Sequence, residues 1–238
     1  MYCGNIEIST YSSRAIRADM YLLRSEGRMV VIDPICPDAE APLHEVGKID
    51  FILLTHEHYD HISGVNWFRE RFGGVVLCSA PCAEAIVSPR KNLSKYLGAM
   101  LDEPNFARYF GEGVSIEPYQ CRADRILADA EEISWQGHTI EMFITPGHSC
   151  GSVCYLLDRT VLFCGDTLFA DCPTCFDFPG GSRNAFQDRT LPLLCHLSPT
   201  VTVFPGHGRE FVLGDWFAKE QTDPLAQPCG VDMRGTPS

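Results

Sequence analysis

The sequence has few basic residues: 19 lysines and arginines stand against 31 aspartates and glutamates, which gives a formal net charge of −12 at pH 7. Proteins that bind nucleic-acid phosphates cluster lysine and arginine on one surface. The deficit therefore argues against a nucleic-acid partner, and against a nuclease or phosphodiesterase. We expect a small-molecule substrate instead, while the sequence does not determine the oligomeric state.

Long apolar runs are lacking too. No stretch approaches the roughly 18 apolar residues of a membrane span, and the first residues lack the basic segment and apolar core of a signal peptide. Twelve cysteines are many, but they are scattered among predicted strands and helices and do not form the framework of a small disulfide-rich domain. We therefore expect no membrane association, a reducing cytoplasmic location, and cysteines that are mostly buried thiols.

The length and composition favour one large domain. At 238 residues, with 45% hydrophobic and 21% charged residues, the chain can bury a full core. We predict a domain over residues 1–223 and a disordered tail over 224–238. Strands alternate with helices in both halves, and one helix is predicted at 37–46. Residues 88–113 carry apolar side chains at helical spacing, which favours a helical insertion or simple amphipathic packing.

The strongest chemical signal is the run Thr55-His56-Glu57-His58-Tyr59-Asp60-His61, which follows the apolar strand 51–54. It contains three of the eight histidines of the chain. Imidazole and carboxylate are ligands that zinc and similar divalent metals accept readily. Because the ligands alternate along the run, His56 and His58 can point one way while Asp60 and His61 face elsewhere. This pattern suits two neighbouring metals better than one.

Three further apolar strands end in similar short motifs, at 145–149, 165–167 and 205–208. Each motif presents one histidine or aspartate beside a glycine, which permits close backbone approach to an ion. With the histidine run, they provide seven candidate metal ligands: His56, His58, Asp60, His61, His148, Asp166 and His207. Two metals that share one carboxylate would each receive four protein ligands.

In this order the motifs resemble the metallo-β-lactamase superfamily, from about residue 6 to 211. Within it they are most similar to the glyoxalase II-like (hydroxyacylglutathione hydrolase-like) enzymes. The resemblance rests on TPGHS at 145–149, LFCGDTLF at 162–169, FPGG at 178–181, PGHG at 205–208 and the triplet Asn92-Leu93-Ser94. It implies an α+β fold, an αββα sandwich with metals at one edge between two sheets. It also implies that His56, His58 and His148 hold one metal, that Asp60, His61 and His207 hold the other, and that Asp166 bridges them.

The resemblance further implies a metal-dependent hydrolase with two divalent ions, zinc first, although iron and manganese accept the same ligands. Two such ions lower the pKa of a shared water toward about 7, and the resulting metal-bound hydroxide would attack a thioester. Asp60 is then the candidate catalytic residue, which orients the nucleophile or moves its proton. Asp33 would orient a ligand histidine or cap its strand. A lactonase, another ester hydrolase and an iron-dependent sulfur dioxygenase are the alternatives.

The chain departs from the glyoxalase II pattern at several places. Thr174 and Cys175 stand where short relatives usually have a Gly-Arg pair. The chain ends 31 residues after His207, without the C-terminal helical domain that grips glutathione in those enzymes. We therefore do not expect a glutathione thioester as the substrate. Cys172 and Cys175 form a CxxC pair, which we interpret as two separate thiols or as a redox couple.

Overall fold

The structure is a computed structural model that describes residues 1–12, 15–36, 47–102, 115 and 117–220. Within these residues a seven-stranded sheet follows the order of the chain. Its strands are β1 (Tyr2–Cys3), β2 (Ile6–Ser12), β3 (Asp19–Ser25), β4 (Arg28–Ile32), β5 (Lys48–Leu53), β6 (Val75–Cys78) and β7 (Arg125–Ile126). Strands β1 to β4 are antiparallel neighbours, and β4 to β7 run parallel.

A second sheet of six strands has the order β13-β12-β11-β10-β9-β8. These strands are β8 (Glu131–Trp135), β9 (His138–Ile144), β10 (Val153–Leu157), β11 (Val161–Gly165), β12 (Thr202–Pro205) and β13 (Phe211–Val212). Only the pair β11 and β12 is parallel within this sheet. Because β9 and β11 both run antiparallel to β10, the carboxyl ends of β9, β11 and β12 lie at the same edge.

The helices lie in two groups along the chain. The first group is α1 (Tyr59–Ile62), α2 (Val65–Phe72), α3 (Ala80–Ile86) and α4 (Leu97–Leu101), with a 3-10 turn at Ser94–Tyr96 before α4. The second group is α5 (Arg183–Ala185), continued through a wider helical turn at Phe186–Thr190 into α6 (Leu191–Cys195), and then α7 (Leu213–Glu220). No helix among the described residues is long and apolar enough to cross a bilayer.

Alternation of side chains along the strands stacks these elements in four layers, because successive residues of a strand point to opposite faces. In β3, Met20 and Leu22 pack with Phe68 of α2, whereas Tyr21 and Leu23 face the second sheet. In the second sheet, side chains such as Tyr155 and Phe163 face the first sheet, while Cys154 and Leu162 pack against α6 and α7. The result is the expected αββα sandwich, an α+β fold.

The sequence predicted most strands. It did not predict β1, β7, β13, α1 or α7, which are short or lie in the polar C-terminal part of the chain. The predicted helix at 37–46, the tail 224–238 and much of the proposed insertion at 88–113 lie outside the described residues. The described part of that insertion, up to residue 102, contains the 3-10 turn and α4.

We expect Phe163→Ala to destabilise the sandwich strongly. The Phe163 side chain is 1% exposed, and its ring lies 5.2 Å from that of Tyr21 and 5.4 Å from that of Phe204. Removing a buried phenylalanine side chain costs about 3–5 kcal/mol of unfolding free energy. Tyr96→Ala is the control, since Tyr96 is 46% exposed and its loss should cost about 0.5 kcal/mol. Equal shifts in urea denaturation would contradict the assigned core.

Candidate metal centre

The histidine run leaves β5 in two conformations, which separates its ligand candidates. His58 is extended, with φ −66° and ψ 146°, and α1 begins at the next residue. His56 and His58 therefore precede the helical turn, whereas Asp60 and His61 lie on it. This change of backbone conformation turns the two pairs toward different neighbours, as the sequence pattern predicted.

His56, His58 and His148 form the first group of side chains. One ligand atom from each lies within 4.8 Å of the others, and all three residues are buried. His148 follows β9 in the second sheet, and its Nε2 lies 3.0 Å from Nδ1 of His58. The group thus joins the end of a strand from each sheet.

Asp60, His61 and His207 form the second group, again with one ligand atom each within 4.8 Å of the others. Oδ2 of Asp60 lies 3.3 Å from Nε2 of His207 and 3.7 Å from Nε2 of His61. His207 follows β12, so this group also joins the two sheets. The rings of His56 and His61 are 4.3 Å apart between centroids, which makes the two groups neighbours.

Asp166, which follows β11, lies between the two groups. Its Oδ1 is 3.3 Å from Nε2 of His61, and its Oδ2 is 3.5 Å from Nε2 of His148 and 3.7 Å from Nε2 of His207. One carboxylate therefore approaches a histidine of the first group and two of the second. This is the position that a shared ligand of two ions requires.

Three buried polar atoms at the centre fit a cation. His56 Nε2, His61 Nε2 and Asp166 Oδ1 make no hydrogen bond of good geometry within the part of the chain that the structure describes, although the last two atoms lie 3.3 Å apart. A buried polar atom without a hydrogen bond costs about 1–3 kcal/mol of folding free energy. The stability of the fold alone therefore does not explain this arrangement of three such atoms. Imidazole nitrogen and carboxylate oxygen are both ligands of zinc and related metals, and the residues present therefore fit such ions.

The protonation states of the first group and of both carboxylates also suit metal binding. Burial, reinforced by neighbouring histidines, lowers the pKa of His56 well below its ordinary value and that of His58 to about 3. Burial raises the pKa of Asp60, but His61 and His207 outweigh it and hold the pKa at about 2. The same histidines, with His148, outweigh burial at Asp166 and lower its pKa well below the ordinary value. Neutral imidazoles and ionised carboxylates are the forms that coordinate metals.

The carboxylates act in the opposite direction on the histidines of the second group. Burial lowers the pKa of His61 and of His207, but Asp166 and Asp60 outweigh it and raise the pKa of both rings. A cation at this group would take the place of the proton between ring and carboxylate, because a ligand imidazole has to be neutral.

Asp33 contacts the ligand histidine His61, one of the two roles that the sequence suggested for it. Its Oδ2 lies 3.0 Å from Nδ1 of His61, and its Oδ1 accepts the backbone N–H of Thr55 at 2.7 Å. The Thr55 hydroxyl also donates to Oδ2 at 2.5 Å. Asp33 could itself form a metal group with His56 and His61, but its contact is with the outer nitrogen Nδ1, so it orients the ring.

Strand β3 holds the His207 loop from the other sheet, and sequence reasoning missed this contact. The backbone N–H of Asp19 donates to the carbonyl of Gly206 at 2.8 Å, and the Asp19 carboxylate accepts the backbone N–H of Gly208. Nδ1 of His207 lies 2.8 Å from the Arg17 carbonyl. The signal that could have revealed Asp19 is an acidic residue that opens an apolar strand.

Glu57 is a second residue that sequence reasoning missed. Its carboxylate is buried, and Oε2 accepts the hydroxyl of Ser149 at 2.9 Å. Gly151 fits against this carboxylate, since a Cβ at that position would lie 2.2 Å from Oε2. Glu57 therefore ties the loop that carries His56 and His58 to the loop that carries His148.

The loop after β11 contacts the first group through its main chain and an aromatic ring. Nδ1 of His148 lies 2.9 Å from the carbonyl of Cys175. The ring of Phe178 lies 4.9 Å from that of His58 and 5.4 Å from that of His148 between centroids. The FPGG motif thus adds an apolar wall beside the histidines.

The other histidines with described positions lie outside the centre. His138 contacts Asp158 and Asn5, and Nδ1 of His196 lies 2.6 Å from the Pro192 carbonyl. His44 lies outside the described residues. Tyr59, within the histidine run, is buried with its ring 5.7 Å from that of Tyr119 between centroids.

Comparison with known proteins identifies the family of this chain. A family model described as the metallo-β-lactamase superfamily matches residues 15–207. A hydroxyacylglutathione hydrolase of Aeromonas hydrophila is 30% identical over 179 residues, which cover 73% of this chain and 56% of that protein. The probable polyketide biosynthesis zinc-dependent hydrolase PksB of Bacillus subtilis is 29% identical over 161 residues, 67% of this chain and 57% of that protein. The chain thus spans little more than half the length of these two relatives.

A solved structure is similar over more of its length. The crystal structure of the BLEG-1 B3 metallo-β-lactamase superposes with a TM-score of 0.75 at 26% identity, covering 92% of this chain and 99% of that one. The family model, which matches residues 15–207, extends over the strand ends that carry the two groups.

We expect Asp19→Ala to weaken zinc binding although Asp19 is in neither group. The change removes the acceptor of the Gly208 N–H and of the Ser12 hydroxyl, which frees the His207 loop to move. Loss of such an outer contact typically costs about 10–100-fold in metal affinity. The measurement is competition with a chromophoric chelator, and Asp188→Ala, at an exposed position, is the control. Unchanged affinity in Asp19→Ala would show that β3 does not position His207.

Proposed function

Because this chain belongs to the metallo-β-lactamase superfamily, we propose that it is a hydrolase that holds two divalent metal ions and cleaves a thioester. The observation that carries the proposal is the position of Asp166, whose oxygens lie 3.3–3.7 Å from histidine nitrogens of both groups. A mononuclear site would need no carboxylate between two histidine groups.

In this proposal each ion takes one group, and Asp166 is common to both. His56, His58 and His148 hold the first ion, and Asp60, His61 and His207 hold the second. Zinc is the ion we propose first, because the ligands suit it and PksB is named a zinc-dependent hydrolase. Iron and manganese accept the same ligands, so metal analysis decides among them.

Ions held by these residues would supply Lewis-acid chemistry at the substrate carbonyl and would lower the pKa of a water molecule that attacks it. Asp60 has the position and the charge to serve that water. Its carboxylate is held ionised by His61 and His207, with a pKa of about 2, so at neutral pH it stays charged and can orient the nucleophile by accepting a hydrogen bond, which is the role that so weak a base favours. Phe178, beside His58 and His148, limits water on that side of the centre.

A thioester is the proposed substrate class for two reasons. The relative from Aeromonas hydrophila is named a hydroxyacylglutathione hydrolase. In addition, a thiol has an ordinary pKa near 8.5, so a thiolate leaves near neutral pH without a strong proton donor. Thr174 and Cys175 supply no cationic side chain to hold a glutathione carboxylate, which favours a thioester of another thiol. Lactones, other esters and β-lactams are open to the same attack.

We further propose that the reaction takes place in the cytoplasm on a small molecule. In support, each cysteine among the described residues is a thiol, and the net charge of −12 opposes nucleic-acid binding. Sulfur dioxygenation by an iron form of the centre is the alternative outside hydrolysis.

The first test of this function is the loss of metal and activity in His58→Ala and Asp166→Ala. We expect about two zinc ions per wild-type chain and fewer in both variants. In both variants kcat/KM should fall by at least about 100-fold, which is more than the loss of a residue that only orients a ligand usually causes. His196→Ala is the matched control, because His196 lies on the surface beside Pro192. Thioester cleavage that survives both ligand substitutions would contradict the mechanism.

The second test is the order of substrates. Initial rates should be compared for thioesters of glutathione and of other thiols, and for lactones, simple esters and β-lactams. We expect the highest kcat/KM for a thioester of a thiol other than glutathione. The reason is that Thr174 and Cys175 offer no cationic side chain to bind a glutathione carboxylate. A higher kcat/KM for a lactone or a β-lactam would contradict the thioester as the substrate class and put that compound class in its place. About one iron per chain with oxygen consumption on a persulfide would replace hydrolysis.

A further inference from the structure

The CxxC pair lies against the metal centre, although neither thiol belongs to it. Cys172 is exposed and Cys175 half-buried, and both are thiols. The main chain of Cys175 reaches the first group, because its carbonyl lies 2.9 Å from Nδ1 of His148. A change in the backbone at Cys175 therefore alters the contact that orients the ring of His148, a candidate metal ligand.

We propose that Cys172 and Cys175 are a redox modification site, which a small-molecule disulfide such as glutathione disulfide converts to an internal disulfide bond. Formation of this bond draws the Cys175 carbonyl away from His148 and weakens metal binding by the first group. The effect on the metal rests on the proposed function, whereas formation of the bond does not.

The sequence between the two cysteines is suited to closing a turn. Proline is favoured at the second position of a four-residue turn, whose end Cα atoms lie within about 7 Å, and a disulfide needs a similar separation. Pro173 occupies that position. In the structure residues 173–177 belong to no helix, strand or hydrogen-bonded turn, and the Thr174 hydroxyl donates to the Thr167 carbonyl at 2.8 Å. In the reduced protein the backbone between the two cysteines therefore forms no hydrogen-bonded turn. Disulfide formation requires this segment to close into one.

Charged side chains at the surface hold the upstream end of this segment. Asp171 accepts two hydrogen bonds from Arg209, at 2.9 and 3.0 Å, and lies 3.7 Å from Nζ of Lys219. The Lys219 ammonium also donates to the Ala170 carbonyl at 3.2 Å. Closure of the turn has to change the backbone at Cys175, because the turn brings this residue within disulfide distance of Cys172. The Cys175 carbonyl then leaves the ring of His148.

The chemistry balances with the disulfide oxidant alone. The thiolate of Cys172 attacks one sulfur of the oxidant, which forms a mixed disulfide and releases one thiol. Cys175 then loses its proton, attacks the Cys172 sulfur and displaces the second thiol. In total the protein loses two protons and two electrons, and the oxidant gains them as it becomes two thiols. Dithiothreitol reverses the reaction.

The test uses the zinc-loaded full chain, treated with glutathione disulfide and then with dithiothreitol. Tandem mass spectrometry should locate a bond between Cys172 and Cys175. Chelator competition should show zinc affinity reduced about 10–100-fold in the oxidised form, the usual effect of losing an outer contact, and restored by reduction. Cys172→Ser should bind zinc like the reduced wild type and show no response to the oxidant. Cys36→Ser removes another exposed thiol and should stay sensitive.

Three results would overturn the proposal. Cys172 and Cys175 could remain thiols at oxidant concentrations that modify Cys36, or their bond could form without changing zinc affinity. Oxidation could also lower the affinity of Cys172→Ser as much as that of the wild type. Failure of the proposed function gives a different result, since the reduced protein would then bind no zinc, while the bond between the cysteines would still be detected by mass.

Discussion

The centre depends on one buried carboxylate, that of Asp166, which lies among histidines of both groups. Burial alone would favour the neutral acid, yet His207, His61 and His148 outweigh it and lower its pKa. Space for this arrangement comes from glycine: a Cβ on Gly206 would lie 2.2 Å from Asp166 Oδ1 and 2.6 Å from Cε1 of His61. The parallel pair β11 and β12 can place Asp166 beside His207 only because nothing larger than glycine occupies that gap.

The contacts around the groups cross from sheet to sheet or from loop to loop. Asp33 and the histidine run belong to the first sheet, and Glu57 links that run to the loop of His148. Asp19 of β3 holds the loop of His207, which belongs to the second sheet. The centre therefore lies at the interface between the two sheets and is held by residues from both. Metal binding and folding should be coupled, because the ligands come together only when the sheets pack.

The ligand candidates could be found from sequence because each follows an apolar strand and is a type that coordinates metals. Asp19, Glu57 and the carbonyl of Cys175 could not be found in this way. Asp19 acts through Gly206 and Gly208, which are distant from it in the sequence. Glu57 acts through Ser149, the residue after the candidate ligand His148. A carbonyl is present at every residue, so residue type carries no signal for the contact between Cys175 and His148. The edge strands β1, β7 and β13 escaped prediction because two residues show no periodicity.

The sequence by itself determined the chemical types at the centre, because each candidate ligand is a residue type that coordinates metals and follows an apolar strand, whereas the layers of the fold were expected from the resemblance to a known family. The sequence also determined that His56 and His58 separate from Asp60 and His61, since this follows from local backbone conformation. Only the tertiary structure decided which loops meet. Strand order brings Asp166 between His148 and His207, and it depends on pairing between strands far apart in the chain, which no local pattern encodes.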